Sequence, residues 1–107
     1  MGGYVYLICD PATDYYKIGV TRGKIEDRIK KLQTGNGTEL HVVSYYFCEH
    51  PFKMEKLLHI KFTSKKVLNE WFCLSPEDVI NFQDICKDTE DTINVLMENP
   101  FFNKNIK

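Results

Sequence analysis

The sequence predicts an α+β fold: a small central antiparallel sheet of about three strands, flanked by helices, with extra helices at the C-terminal end. Three observations carry this. Two short runs rich in β-branched and aromatic residues, 4–9 and 15–20, stand on either side of a five-residue turn. Apolar residues then recur at helical spacing in several later segments. The chain has 107 residues, 43% of them apolar and 27% charged, which suits one domain with a real core and excludes wholesale disorder.

Each element follows from local chemistry. Tyr4-Val5-Tyr6-Leu7-Ile8-Cys9 is the first strand. Asp10-Pro11-Ala12-Thr13-Asp14 is a turn, because Pro after Asp presets turn geometry. Tyr15-Tyr16-Lys17-Ile18-Gly19-Val20 returns antiparallel. Strand alternation puts Val5, Leu7 and Cys9 on one face with Ile18 and Val20. Tyr4, Tyr6 and Ile8 take the other, with Tyr15, Lys17 and Gly19. Parity permits a register with Tyr6 opposite Lys17, Tyr4 opposite Gly19 and Ile8 opposite Tyr15.

After the loop Thr21-Arg22-Gly23-Lys24, Ile25, Ile29 and Leu32 fall at i, i+4 and i+7, a helix stripe with Arg28 on or beside it. Thr34-Gly35-Asn36-Gly37 ends that helix. Residues 40–47 form the third strand. Pro51 opens a helix whose apolar side is Met54, Leu57, Leu58 and Phe62. Glu55 and His59, four apart, share one flank of it. Asn69 to Leu74 is a short turn and strand. Ser75-Pro76-Glu77-Asp78 starts a helix with a Ser cap, Pro at the first position and two acids in the first turn. Val79, Phe82, Ile85 and Cys86 give its buried side. A second helical piece spans about residues 90–98 and ends near Asn99-Pro100, and residues 101–107 are expected to be frayed or partner-dependent. The whole chain, 1–107, reads as one domain, with a core over 3–82 and a helical extension and tail over 83–107.

Charge is unevenly placed. Residues 1–76 hold 11 basic and 8 acidic side chains, a net of +3, and residues 77–107 hold 3 and 7, a net of −4. The body suits an anionic partner and the tail repels one. Candidate backbone-contact cations for a nucleic acid are Arg22, Lys24, Lys30, Lys31, Lys65 and Lys66. No apolar run approaches the roughly 18 residues of a membrane span, and neither a membrane nor a small-molecule cofactor is expected as partner. The first residues lack the layout of a secretory signal. Cysteines at 9, 48, 73 and 86, with no Cys-x-x-Cys pair, suggest scattered buried thiols in a reducing compartment, cytoplasm or nucleus.

Gly3-Tyr4-Val5-Tyr6 followed by Lys17-Ile18-Gly19 resembles the paired motif of the GIY-YIG endonuclease superfamily. Arg28, Glu55 and Asn69 follow in family order, Asn69 fourteen residues beyond Glu55. Glu55-x-x-x-His59 with Glu70-Trp71-Phe72 is similar to the branch typified by a phage T5 protein, over about residues 3–82. Three positions differ: the family's first Gly falls on Tyr4, its second Tyr on Lys17, and the His or Tyr often found four after the Arg is Leu32. The resemblance implies metal-dependent hydrolysis of DNA phosphodiesters with Mg²⁺ or Mn²⁺. Glu55 would be the metal ligand, a hard oxygen donor suited to an ion that keeps most of its waters. Arg28 would pair with phosphate. Tyr6, its pKa lowered by Lys17, or Lys17 itself, would accept the proton of the attacking water. His59 would shuttle a proton or touch the leaving phosphate, and Asn69 would hold Glu55 or a water.

Taken singly, each residue has a plain structural explanation: packing for Tyr6, an edge-strand charge for Lys17, surface pairing for Arg28, Glu55 and His59, and turn geometry for Asn69. Their joint order favours the catalytic reading for Tyr6, Lys17, Arg28 and Glu55 and leaves both readings open for His59 and Asn69. A nucleic-acid-binding module without useful catalysis, and a protein-interaction domain using the acidic region and Phe101-Phe102, are the alternatives.

Overall fold

The computed structural model describes residues 2–98; the expected helix end at Asn99-Pro100 and the expectations for residues 101–107 lie outside them. The order is β1 (Gly3–Asp10), β2 (Tyr15–Thr21), α1 (Ile25–Gln33), β3 (His41–Cys48), α2 (Pro51–Lys61), a 3₁₀ turn (Thr63–Lys65), β4 (Lys66–Leu68), β5 (Trp71–Phe72), α3 (Pro76–Ile80) and α4 (Phe82–Met97). The α+β class stands, but the antiparallel sheet has five strands in the order β3-β1-β2-β5-β4 where about three are expected. The additional strand β4 is three residues long and exposed throughout, so no alternation marks it.

The β1–β2 hairpin forms with the expected faces and a register two residues away. Tyr6 lies opposite Gly19, Ile8 opposite Lys17 and Tyr4 opposite Thr21. The turn explains the slip. The Asp10 carboxylate accepts from the Ala12 N–H at 3.0 Å, the Asp10 carbonyl accepts from the Asp14 N–H at 2.8 Å, and Asp14 takes a left-handed φ of 61°. That tight Asx turn lets the ladder run to the Asp10–Tyr15 pair, where the expected register leaves Cys9 and Asp10 in the loop.

Two layers of helix cover the sheet. Val5, Leu7 and Ile18 pack against Met54 and Leu58 of α2 and Phe82, Cys86 and Ile93 of α4, all essentially buried. Tyr6 and Ile8 on the opposite face pack with Leu40 under Ile29 and Leu32 of α1, with Trp71 at the side. The C-terminal helix is therefore part of the main core. It also runs unbroken for 16 residues from Phe82, with the interruption at Asn81, where two helical pieces separated near residue 88 are expected. The α3 start is as expected: Ser75 Oγ accepts from the Asp78 N–H at 3.1 Å and Asp78 accepts from the Ser75 N–H at 3.0 Å, a capping box with Pro76 behind it. Of the four free thiols, Cys48 and Cys86 are buried, whereas Cys73 is exposed at the end of the sheet.

Candidate functional site

The site forms where β5 stops short and β2 continues. Ile18 turns both its backbone groups toward that gap. Its N–H donates to the Glu70 carbonyl at 3.1 Å, and its C=O lies 2.9 Å from His59 Nε2. A carbonyl can only accept, so Nε2 carries the proton, and the lone pair of a neutral His59 imidazole is on Nδ1. The same bond fixes α2 against the edge of β2, and the Phe72 ring meets the imidazole edge-on at 5.0 Å.

One turn earlier on α2, Glu55 enters the gap. Glu55, His59 and Glu70 each bring a ligand-type atom within 4.8 Å of the others. Burial first, and then the neighbouring Glu70 charge, push the Glu55 carboxyl above its ordinary value; His59, Lys17 and Arg28 pull the other way. The two carboxylates repel one another when both are ionised, and a divalent cation would relieve that. This donor set fits a hard ion such as Mg²⁺ or Mn²⁺, which takes one or two carboxylates and keeps waters.

From the opposite face of the sheet come Tyr6, Lys17 and Arg28. Arg28 Nε donates to the Tyr6 hydroxyl at 3.2 Å. The Tyr6 ring can lie there because residue 19 is glycine: a Cβ at Gly19 would sit 2.6 Å from the ring's Cζ and 2.8 Å from Cε1. Tyr6 is fully buried, and burial raises its pKa more than Arg28 lowers it. The expected lowering is therefore reversed. Lys17 is two ladder pairs further along, bonded to Glu70 at 3.4 Å and 5.7 Å above the Trp71 ring. Its charge is held by Glu70 rather than by Tyr6.

Arg28, Glu55 and Glu70 line one open cleft of about 450 Å³, together with Arg22, whose guanidinium lies 5.1 Å over the Phe52 ring. Five of the six expected site residues thus cluster: Tyr6 and Arg28 in contact, Lys17, Glu55 and His59 around Glu70. Asn69 does not join them in the same way. It is exposed in the β4–β5 turn with a left-handed φ of 53°, a conformation Asn adopts readily. The next residue, Glu70, faces the site instead. Its signal in the sequence is the run Glu70-Trp71-Phe72, where the strand begins. Leu32 is core, packed with Tyr6 and Ile8.

Among the expected backbone-contact cations, Arg22 is at the cleft. Lys24 borders a second groove on the other side of α1. Lys30, Lys31 and Lys66 are exposed. Lys65 is tied to Asp78 at the start of α3 and lies 5.9 Å over the Phe62 ring, so its charge serves the fold.

The model of the T5orf172 domain family matches residues 3–87 of the chain. No curated protein and no solved structure matches it.

Proposed function

The chain belongs to the T5orf172 domain family, and from that membership and the cleft geometry we propose a metal-dependent nuclease of GIY-YIG type that hydrolyses DNA phosphodiesters. Membership supports a nuclease-like or DNA-binding module. The observation that carries the finer reading is the convergence of Glu55, His59 and Glu70 within 4.8 Å, with Glu55 and Glu70 lining a cleft that also presents Arg28.

Glu55 and Glu70 would hold Mg²⁺ or Mn²⁺, which supplies positive charge to the phosphate oxygens. Arg28 keeps four N–H donors beyond the one given to Tyr6 and clamps the phosphate with them. The Tyr6 phenol accepts from Arg28 and holds that guanidinium in place. Burial keeps it a phenol at neutral pH, so it acts as a positioning residue behind Arg28. The proton of the attacking water goes to His59 Nδ1, whose ring is locked by the Ile18 carbonyl. Lys17, paired with Glu70, sets that carboxylate's position.

The test is incubation of supercoiled plasmid, a branched DNA and an RNA with Mg²⁺, Mn²⁺ or EDTA, beside Glu55→Ala and Arg28→Ala. Metal-dependent cutting lost in both variants is the expected result. Binding that EDTA leaves unchanged, with no cutting of any substrate, overturns catalysis in favour of a nucleic-acid-binding module. One observation favours that second reading: Leu32 fills core where the superfamily often has a polar ring.

A further inference from the structure

The sheet face that carries Tyr6 continues past it onto β3. Tyr45 stands opposite Tyr6 in the β1–β3 ladder, and Phe47 stands opposite Tyr4. Tyr45 is 51% exposed and Phe47 55% exposed, although both are large and apolar. The Tyr4 ring meets both edge-on, with centroids 5.8 and 5.3 Å away. Between this aromatic row and the N-terminal half of α1 lies a groove of about 350 Å³, lined by Tyr4, Ile29, Val42 and Tyr45, with Lys24 and Glu26 at its rim.

We infer that this groove receives an unpaired nucleobase from a single-stranded stretch of the substrate, across the N-terminus of α1 from the phosphate held by Arg28. The inference rests on the nuclease reading and names its substrate class: branched or single-stranded nucleic acid in preference to intact duplex. Three features argue for a base. The lining is apolar with exposed aromatic rings, which stack any base and reject a bare phosphate. Lys24 stands at the rim, where the flanking phosphate of that nucleotide would lie, while Glu26 opposes entry of the backbone itself. Position is the third. The β2–α1 loop joins the two openings: Arg22 lines the cleft that presents Arg28, and Gly23 and Lys24, the next residues, line the groove. A base within a duplex has both faces stacked on its neighbours and cannot enter unless it is flipped out.

The test is fluorescence titration of a short single strand carrying 2-aminopurine, and of the same strand in a duplex, in EDTA. The proteins are wild type, Tyr45→Ser and Tyr45→Phe. Wild type is expected to quench the probe and to bind the single strand more tightly than the duplex. Tyr45→Ser is expected to lose about tenfold on the single strand and little on the duplex, and Tyr45→Phe to keep the wild-type affinity. Equal losses on both forms, or none, overturn the inference. So does a wild-type dimer in sedimentation that Tyr45→Ser dissolves, since the groove would then be a contact between copies. Cleavage with Mg²⁺ separates this failure from failure of the nuclease reading: an unselective enzyme still cuts duplex and single strand alike, whereas a chain that neither binds nor cuts nucleic acid overturns both.

Discussion

The two faces of the sheet are built to different ends. The face under α2 and α4 is hydrocarbon: Val5, Leu7, Ile18, Leu58, Phe82 and Ile93 interlock with hardly any surface left to water. Among the described residues, the face under α1 buries Tyr6, Ile8 and Leu40 and then opens into cleft and groove, with Lys17, Arg28 and a row of exposed aromatics. Apolar burial at roughly 25 cal/mol per Å² holds the first face together. The second keeps ionisable groups half out of water, where they can meet a ligand. Stability and chemistry are thus separated across one layer of strands, and substitutions on the two faces should fail differently.

The largest effect belongs to the closed face. Phe82→Ala removes a fully buried ring from α4 and should cost about 3–5 kcal/mol, read as a lower midpoint in urea unfolding. Well below that midpoint, any cleavage per folded molecule should remain near the wild-type level. A loss of activity out of proportion to the unfolded fraction would show that the faces are coupled.

Gly19→Ala sits on the boundary. Its new Cβ collides with the Tyr6 ring, which is walled in by Ile29 and Leu32. The overpacking cost should be about 1–3 kcal/mol. Because Tyr6 can relieve the clash only by moving off Arg28, cleavage should fall further than stability does. In a Tyr6→Ala background, itself destabilised by the lost ring, Gly19→Ala should add almost no further cost, as expected when the clash is with that ring alone.

That boundary is also where the sequence stopped being legible. Alternation along β1 and β2 identifies which residues share a face, and both faces are as read. It cannot fix register beyond parity, and the Asx turn at Asp10 decided it by two residues. The same limit hid Glu70. It lies outside any periodic run, at the mouth of a two-residue strand, and its place beside Glu55 follows from β5 ending where Ile18 still offers a free edge. Arg28, Glu55 and His59 were visible because helix spacing and motif order mark them. Asn69 stands out above its neighbour in the sequence because turn propensity and site propensity fall on the same residue type.

A smaller effect, opposite in sign, tests the open face directly. Burial and Glu70 raise the folded-state pKa of Glu55 above its unfolded value. Its protonated form therefore favours folding, fully so below about pH 4.3, and this contribution is lost as pH rises through the folded value. At neutral pH the ionised group opposes folding. Glu55→Gln should accordingly raise Tm at pH 7 in EDTA while abolishing metal-dependent cutting. Adding Mg²⁺ should raise Tm for wild type and leave the variant unmoved. A lower Tm for Glu55→Gln in EDTA would mean that Glu55 serves the fold.

The Asp78 carboxylate on the side of the closed face has a pH dependence that runs the other way. Burial alone would raise the Asp78 carboxyl, but Lys65 and the Ser75 cap outweigh it and hold the carboxyl below its ordinary value. A depressed folded-state pKa gives stability that is present above the unfolded value of about 3.9 and lost as pH falls through the folded value. Ser75→Ala should cost about 1 kcal/mol at pH 7 through the lost cap. Asp78→Asn removes the Lys65 pair and should be less stable than wild type at pH 7, the two converging as pH drops below about 4. Neither substitution should change binding to single-stranded DNA, because the capping box lies on the far side of the core from the groove beside Tyr45. A shift in that affinity would mean that the α3 start communicates with the open face, and the separation drawn between the faces would fail at its least costly point.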